Sequence, residues 1–93
     1  MDDVMVTYEN LALEEDTLVQ RIRVCEDCVS VILDYISNKN DSTHILTVED
    51  IVSAIHVIEQ DLQTELLHLK LEKGVLANKI KWIKYKDSKE NVR

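Results

Sequence analysis

The sequence has 93 residues, including one glycine and no proline, and a formal net charge of −7. This length allows a single domain, and the scarcity of residues that end helices or shape turns favours long helices over a sheet. Apolar residues make up 45% of the chain and charged residues 31%, which is too apolar for an intrinsically disordered protein. The composition therefore predicts an all-α protein with one domain over residues 1–93.

The sequence lacks a segment with the composition of a membrane span. The longest run without a charged residue covers residues 51–58, whereas a spanning helix needs about 20 apolar residues. The first four residues include Asp2 and Asp3, so the start is acidic where a secretory signal would be basic. We therefore expect an intracellular protein, cytoplasmic or nuclear, in which Cys25 and Cys28 remain reduced.

The first helix is predicted over about residues 4–37. Its apolar residues recur at alternating spacings of four and three, as in the seam of a coiled coil, and Glu15 is the polar exception. The seam consists of Val4, Tyr8, Leu11, Glu15, Leu18, Ile22, Cys25, Val29, Ile32 and Ile36. A polar turn is predicted next, over about residues 38–46, because its side chains compete for backbone hydrogen bonds.

The second helix is predicted over about residues 47–87, followed by a frayed basic tail at residues 88–93. Thr47 offers an N-cap hydroxyl, and Asp50 stands three residues later in a variant of the capping box. The predicted seam consists of Val48, Ile51, Ile55, Ile58, Leu62, Leu66, Leu69, Lys73, Leu76, Ile80 and Ile83. One extra step of four, between Leu62 and Leu66, indicates a small phase slip.

An antiparallel hairpin satisfies both the apolar spacing and the charge distribution. Folding the chain back near Ser42 sets seam residues against each other, for example Ile22 against Leu62. Residues 1–61 contain 14 acidic and 3 basic side chains, for a charge of −11, and residues 62–93 contain 4 and 8, for +4. A parallel alignment would place acidic segments side by side, so we expect the antiparallel one.

The same register brings the two polar seam residues together. Glu15 and Lys73 are expected to lie diagonally across the seam, so that the polar seam residue of each helix pairs with that of the other. Such a pair is better evidence for register than for stability, because desolvation offsets much of the attraction between the charges.

Each helix also carries a second apolar stripe beside its seam. The stripe residues are Val24, Cys28, Val31 and Tyr35 in the first helix and Val52, Val57, Leu67, Leu71 and Val75 in the second. Two helices that touch along one line cannot cover both stripes. We therefore expect the hairpin to complete a helical bundle by homo- or hetero-oligomerisation. The stripe residues predicted to bind the partner are Val24, Cys28, Val31, Tyr35, Leu67, Leu71 and Val75.

Residues 79–89 interleave lysines with aromatic and apolar side chains. The candidate partner-binding residues of this segment are Lys81, Trp82, Ile83, Lys84 and Tyr85. In the hairpin register Trp82 lies beyond the first residues of the first helix, and such aromatics beside basic residues are typical interface anchors. In a second interpretation Ile80 and Ile83 complete the seam, and the lysines interact electrostatically with the acidic residues at the start of the chain. In a third, the segment binds nucleic acid or an anionic membrane.

Residues with the chemistry of catalysis or metal binding are few and isolated. Cys25 and Cys28 have the spacing of half a zinc site, with His56 opposite, but no second pair accompanies them, so inert thiols are the preferred interpretation. The hydroxyl residues lack an assembled base, and Gly74 alone cannot build a phosphate loop. We expect a non-catalytic protein with no cofactor and no metal.

These features predict a scaffold or adaptor subunit. In architecture and composition the whole chain is similar to the short, acidic, two-helix subunits of multiprotein coiled-coil complexes, such as kinetochore or centromere assemblies and organelle-biogenesis complexes, although it contains no family-specific motif. The resemblance implies a role in protein–protein interaction. The alternative is a dimeric protein that binds nucleic acid or an anionic membrane through residues 79–89, and the net charge of −7 counts against it.

Overall fold

A computed structural model describes the backbone of residues 2–39 and 44–91, and the side chains of residues 3–39 and 44–86. Within these ranges the chain forms two α-helices and no strand. Helix α1 spans Asp2–Asn38 and helix α2 spans Ile45–Asn91. The prediction of an all-α protein is confirmed. Neither helix, over the residues described, combines the length and apolar character needed to cross a membrane.

Helix α2 begins two residues earlier than predicted, because His44 and not Thr47 caps it. The ring Nδ1 of His44 accepts a hydrogen bond from the backbone N–H of Thr47 at 3.2 Å. The carbonyl of His44 accepts the first helical hydrogen bond, from the N–H of Val48, also at 3.2 Å. The predicted N-cap at Thr47 is therefore wrong, since Thr47 lies inside the first turn of the helix.

The other boundaries differ from the predictions by smaller amounts. Helix α2 continues through residues 88–91, which were predicted to be a frayed tail, because no glycine or proline interrupts the helix there. Residues 92–93 of that predicted tail lie outside the described residues. So do residues 40–43 of the predicted turn.

The two helices pack side by side as an antiparallel hairpin. The molecule measures 79 × 18 × 16 Å, and the longest dimension is close to the ~70 Å expected for 47 helical residues alone. All ten predicted seam positions of α1 are buried or partly buried. The most deeply buried residues lie near the middle of the hairpin and are Leu11, Leu18, Ile22, Cys25, Leu62 and Leu69.

The predicted phase slip in α2 does not occur. Ile51 and Ile58, which were assigned to the seam, are 48% and 52% exposed, whereas Val52 and Glu59 are partly buried. When Val52 and Glu59 take the places of Ile51 and Ile58, the spacing between successive seam residues of α2 alternates between four and three along the whole helix. The prediction failed because it followed hydrophobicity, and isoleucine is more apolar than the glutamate that the regular repeat turns inward.

The polar residues of the seam meet across the helices as predicted. The Nζ of Lys73 donates a hydrogen bond to Oε2 of Glu15 at 2.7 Å and lies 5.4 Å from the centroid of the Tyr8 ring. The hydrogen bond from Lys73 lowers the pKa of Glu15, and the same contact raises the pKa of Lys73. The pair joins residues that are distant in sequence, so it fixes the register of the hairpin.

Candidate partner-binding surfaces

The hairpin exposes many large apolar side chains outside its seam. Eighteen of the described residues belong to this class. Where such side chains gather into one patch, they commonly mark a binding surface. Their positions in the two heptad repeats place most of the predicted site residues in two groups, one near the turn of the hairpin and one on the outward face of α2.

The first group, here called the turn-proximal patch, lies on one side of both helices near the turn. It consists of Val24, Cys28, Val31 and Tyr35 of α1 and Ile51 and Ile58 of α2, all of them exposed. Val24, Cys28 and Val31 recur every three or four residues and so share one side of α1. They line a shallow groove together with Asp27, Ile32 and, from the opposite helix, Ile55.

The heptad repeat places Ile51 and Ile58 on the same side of the hairpin. Further from the turn, Arg21 of α1 lines a second groove with Glu65 of α2. In α1, Cys28 and Tyr35 follow Arg21 by one and two heptads. In α2, Ile58 and Ile51 precede Glu65 by one and two heptads. Because each heptad returns to the same side of a helix, the six patch residues form one apolar surface shared by both helices.

Acidic side chains surround the turn-proximal patch. Asp27 lines the groove itself, and Asp34 follows one heptad later on the same side of α1. Residues 22–61, the turn-proximal half of the hairpin, contain 8 acidic and 2 basic side chains, for a charge of −6. One of the two basic residues, Lys39, holds its ammonium 5.4 Å from the ring centroid of Tyr35 at the end of the patch. The patch is therefore apolar with an electronegative rim.

The second group, here called the outer stripe, lies on the face of α2 that points away from α1. It consists of Leu67, Leu71, Val75, Trp82 and Tyr85, each of which is more than half exposed. The rings of Trp82 and Tyr85 meet edge to face, with centroids 6.0 Å apart and planes at 83°. With Asn78 and Lys81 they line a shallow concave surface. Helix α2 thus has one apolar face towards α1 and another towards solvent.

Two residues of the predicted site stand apart from both groups. Ile83 is partly buried at the end of the seam, and Lys84 is exposed on a neighbouring side of the helix. The structure therefore does not bring Ile83 and Trp82 onto one face.

Sequence reasoning missed Ile51 and Ile58 as surface residues because it assigned them to the seam. If the spacing between seam residues had been kept strictly at alternating four and three, with Glu59 in the seam, both isoleucines would have been placed outside it.

Cys25 and Cys28 point in different directions. Cys25 is buried in the core and Cys28 is exposed in the turn-proximal patch, and both thiols are free. No group of three or more histidine, cysteine or carboxylate side chains is placed to hold a metal ion within the part of the chain that the structure describes.

The fold belongs to the class of antiparallel two-helix hairpins with apolar faces left uncovered. No family model matches the sequence, and neither a curated protein nor a solved structure is significantly similar to it. The functional argument therefore depends on the residues of the two exposed apolar surfaces.

Proposed function

We propose that this protein is a non-catalytic scaffold or adaptor subunit of a multiprotein helical complex, of the kind found in kinetochore or centromere assemblies and in organelle-biogenesis complexes. Its activity is binding by helix packing, in the cytoplasm or the nucleus. The observation that supports the proposal is the outer stripe, because α2 already buries one apolar face against α1. A helix with apolar residues on two opposite sides is stabilised by having helices on both sides.

The exposed apolar area is large enough to matter energetically. Complete burial of a large apolar side chain contributes about 1.5–3 kcal/mol. The residues of both surfaces are about half exposed or more. Covering the exposed part of each side chain with a partner therefore contributes roughly 1 kcal/mol. The eleven residues of the patch and the stripe together supply about 10 kcal/mol, from which association costs of about 4–15 kcal/mol are subtracted. One surface alone supplies about half of the gain.

The second candidate function is binding of nucleic acid or an anionic membrane. The observation that favours it is the position of Lys81 in the same concave surface as Trp82 and Tyr85, since lysine beside aromatic rings suits phosphate groups and stacked bases. The net charge of −7 opposes it, because the long-range field of the protein repels polyanions.

One pair of variants separates the two functions. In the adaptor interpretation, Trp82→Ala with Tyr85→Ala weakens binding to the partner protein at least tenfold, because buried aromatic anchors commonly supply 2 kcal/mol or more. Replacing Lys81, Lys84 and Lys86 by glutamine has the smaller effect, since rim lysines mainly tune association rate and salt dependence. In the polyanion interpretation the order is reversed.

The experiment begins with affinity purification of the tagged chain, identification of the co-purifying protein, and reconstitution of the complex from two purified components. Wild type and both variants are then titrated against that protein, duplex DNA and anionic vesicles at two salt concentrations. Circular dichroism confirms that each variant remains helical. Salt-sensitive binding of wild type to DNA or vesicles that is lost only in the lysine variant would contradict the adaptor proposal.

A further inference from the structure

We propose that the turn-proximal patch binds a basic amphipathic helix of a different protein. This inference rests on the proposed adaptor function and specifies the chemistry of one partner. The partner helix carries apolar residues at spacings of three and four, and lysine or arginine residues beside them.

The shape of the patch suits a helix. The groove lined by Val24, Cys28 and Val31 runs along α1, and Ile55 closes it from α2. Ile51 and Ile58 extend the apolar surface across the second helix. A third helix that lies along this side contacts both members of the hairpin and covers all six patch residues, which is the arrangement of helix-in-groove recognition. A flat loop or an extended strand would leave part of this two-helix surface in water.

The acidic residues that border the patch favour a positively charged partner helix. Asp27 and Asp34 of α1 and Asp61 of α2 border the patch, and the half of the chain that contains it has a charge of −6. A single exposed ion pair contributes little to affinity. An acidic rim nevertheless rejects acidic helices and accelerates the approach of basic ones, so charge selects among apolar helices of similar size.

A second copy of this chain has a suitable basic segment, but it fits poorly as a whole. Trp82 lies nine residues before the end of α2 at Asn91, and Ala54 lies nine residues after its start at Ile45. Two hairpins aligned antiparallel over their full length would therefore bring the basic aromatic segment of each onto the patch of the other. The ends of such a dimer would be complementary.

The centre of that dimer would be repulsive. Glu14 and Arg21 line a groove with Glu65 on the patch side of the hairpin, and Glu72 follows Glu65 by one heptad. Two copies would set six carboxylates against two guanidinium groups. Docking patch to patch is no better, since the two acidic rims would then meet. Facing like charges disfavour both arrangements, so the patch is suited to a partner other than itself.

The test uses the full-length chain and a displayed library of single helices. Every member has the same apolar face, and its flanking positions vary among lysine, glutamine and glutamate. Selection on the purified chain is expected to enrich lysine at the flanking positions. Enriched helices are then made as peptides and titrated by fluorescence anisotropy.

The patch variants Val31→Asp and Ile58→Asp are expected to weaken peptide binding at least tenfold. Replacing Asp27, Asp34 and Asp61 by asparagine is expected to weaken it about tenfold at low salt and less at high salt. The matched control is Leu33→Asp, which leaves peptide binding unchanged, because Leu33 is an exposed leucine of α1 outside both the patch and the outer stripe. Circular dichroism verifies that all variants stay helical.

Three outcomes would overturn the inference. One is enrichment without positive flanks, and another is peptide binding that survives Val31→Asp. The third is a wild-type chain that is dimeric by light scattering and becomes monomeric with Val31→Asp, which would make a second copy the occupant. If Leu71→Asp and not Val31→Asp abolishes binding, the patch inference fails while the adaptor function stands. If the chain binds no helix and no purified protein, both fail.

Discussion

Glu15 and Lys73 form a contact whose contribution to stability depends on pH. The pKa of Glu15 is lowered from its ordinary value of 4.5 by the hydrogen bond from Lys73. Its contribution is therefore present above pH 4.5 and is lost as the pH falls through the lowered pKa. The pKa of Lys73 is raised from 10.5 by the same hydrogen bond, so its contribution is lost as the pH rises through the raised pKa. The contact stabilises the hairpin between these limits.

A double-mutant cycle with Glu15→Gln and Lys73→Gln tests this dependence. Urea denaturation of the four proteins is expected to show a favourable coupling free energy at neutral pH and none at pH about 2, where the carboxylate is protonated. Glu14→Gln is the matched control, because Glu14 is exposed and forms no ion pair within residues 3–39 and 44–86. A coupling free energy that is equal at both pH values would contradict the assignment.

Gly74 lies within α2 where the backbone does not require a glycine. No residue of the described chain has a positive φ, and a Cβ added at Gly74 meets no atom within 4 Å. We expect Gly74→Ala to raise the free energy of unfolding by about 1 kcal/mol, because glycine has more conformational freedom to lose in a helix. Thermal denaturation measures the change.

The reverse substitution is the control for Gly74. Ala54 is an exposed alanine of the same helix, and Ala54→Gly is expected to lower the free energy of unfolding by a similar amount. A destabilising Gly74→Ala would show that a neighbour approaches this position more closely than the structure records.

The regular heptad of α2 is best tested with two adjacent residues of similar size. Val52 is partly buried in the seam, whereas Ile51 is 48% exposed. We expect Val52→Asp to lower the free energy of unfolding by roughly 2 kcal/mol or more, because it places an unpaired carboxylate in the seam. Ile51→Asp is expected to change it by less than about 0.5 kcal/mol. Chemical denaturation of both variants provides the comparison.

A larger effect of Ile51→Asp than of Val52→Asp would contradict the seam described for α2. The more apolar side chain, Ile51, would then be the inward one, and the helix would contain the phase slip that hydrophobicity alone predicts. The same exchange would remove Ile51 from the turn-proximal patch.

The helices themselves were predictable from periodicity, whereas their exact faces were only partly so. In α1, every seam position but Glu15 is apolar, so pattern and burial agree at all ten positions. In α2, Glu59 occupies a seam position beside Ile58, and a pattern that follows apolar residues chooses the isoleucine. The start of α2 was missed for a different reason, because histidine is not a common N-cap and Thr47 offered a hydroxyl nearby.

At the scale of the whole molecule, the hairpin has a small core. Six of the residues whose side chains the structure describes are buried, and none of the large ones among them is fully buried. We expect the isolated chain to be helical with a low free energy of unfolding, a few kcal/mol, because chain entropy offsets most of the gain from such a core. Urea denaturation of the isolated chain measures this free energy.

A bound partner should stabilise the chain measurably. A ligand at a hundred times its dissociation constant adds about 2.7 kcal/mol to the free energy of unfolding. For a domain of this size, the melting temperature should then rise by about 10 °C or more. A chain that is already highly stable alone, and that no partner stabilises further, would contradict the role proposed for its exposed apolar faces.

The sequence predicted which residues of each helix lie on the candidate surfaces, but it did not predict the three-dimensional form of those surfaces. Val24, Cys28 and Val31 were assigned to partner binding from their spacing, and the structure places them in one groove. The contribution of Ile51 and Ile58 depended on the correct phase of α2, and the edge-to-face contact of Trp82 with Tyr85 depends on side-chain rotamers. Periodicity specifies which side of a helix a residue occupies, but it does not specify what the opposite helix leaves uncovered.

The position of the core near mid-length has a consequence for exchange of backbone amide hydrogens with solvent. The deeply buried residues of α1 lie between Leu11 and Cys25, and those of α2 are Leu62 and Leu69. Amides near these residues should exchange slowly, through global unfolding, while those near both ends of the hairpin exchange through local opening. The turn-proximal patch and Trp82 both lie towards such ends. A partner helix that binds there slows local opening, so protection should spread outwards from the centre as the complex forms.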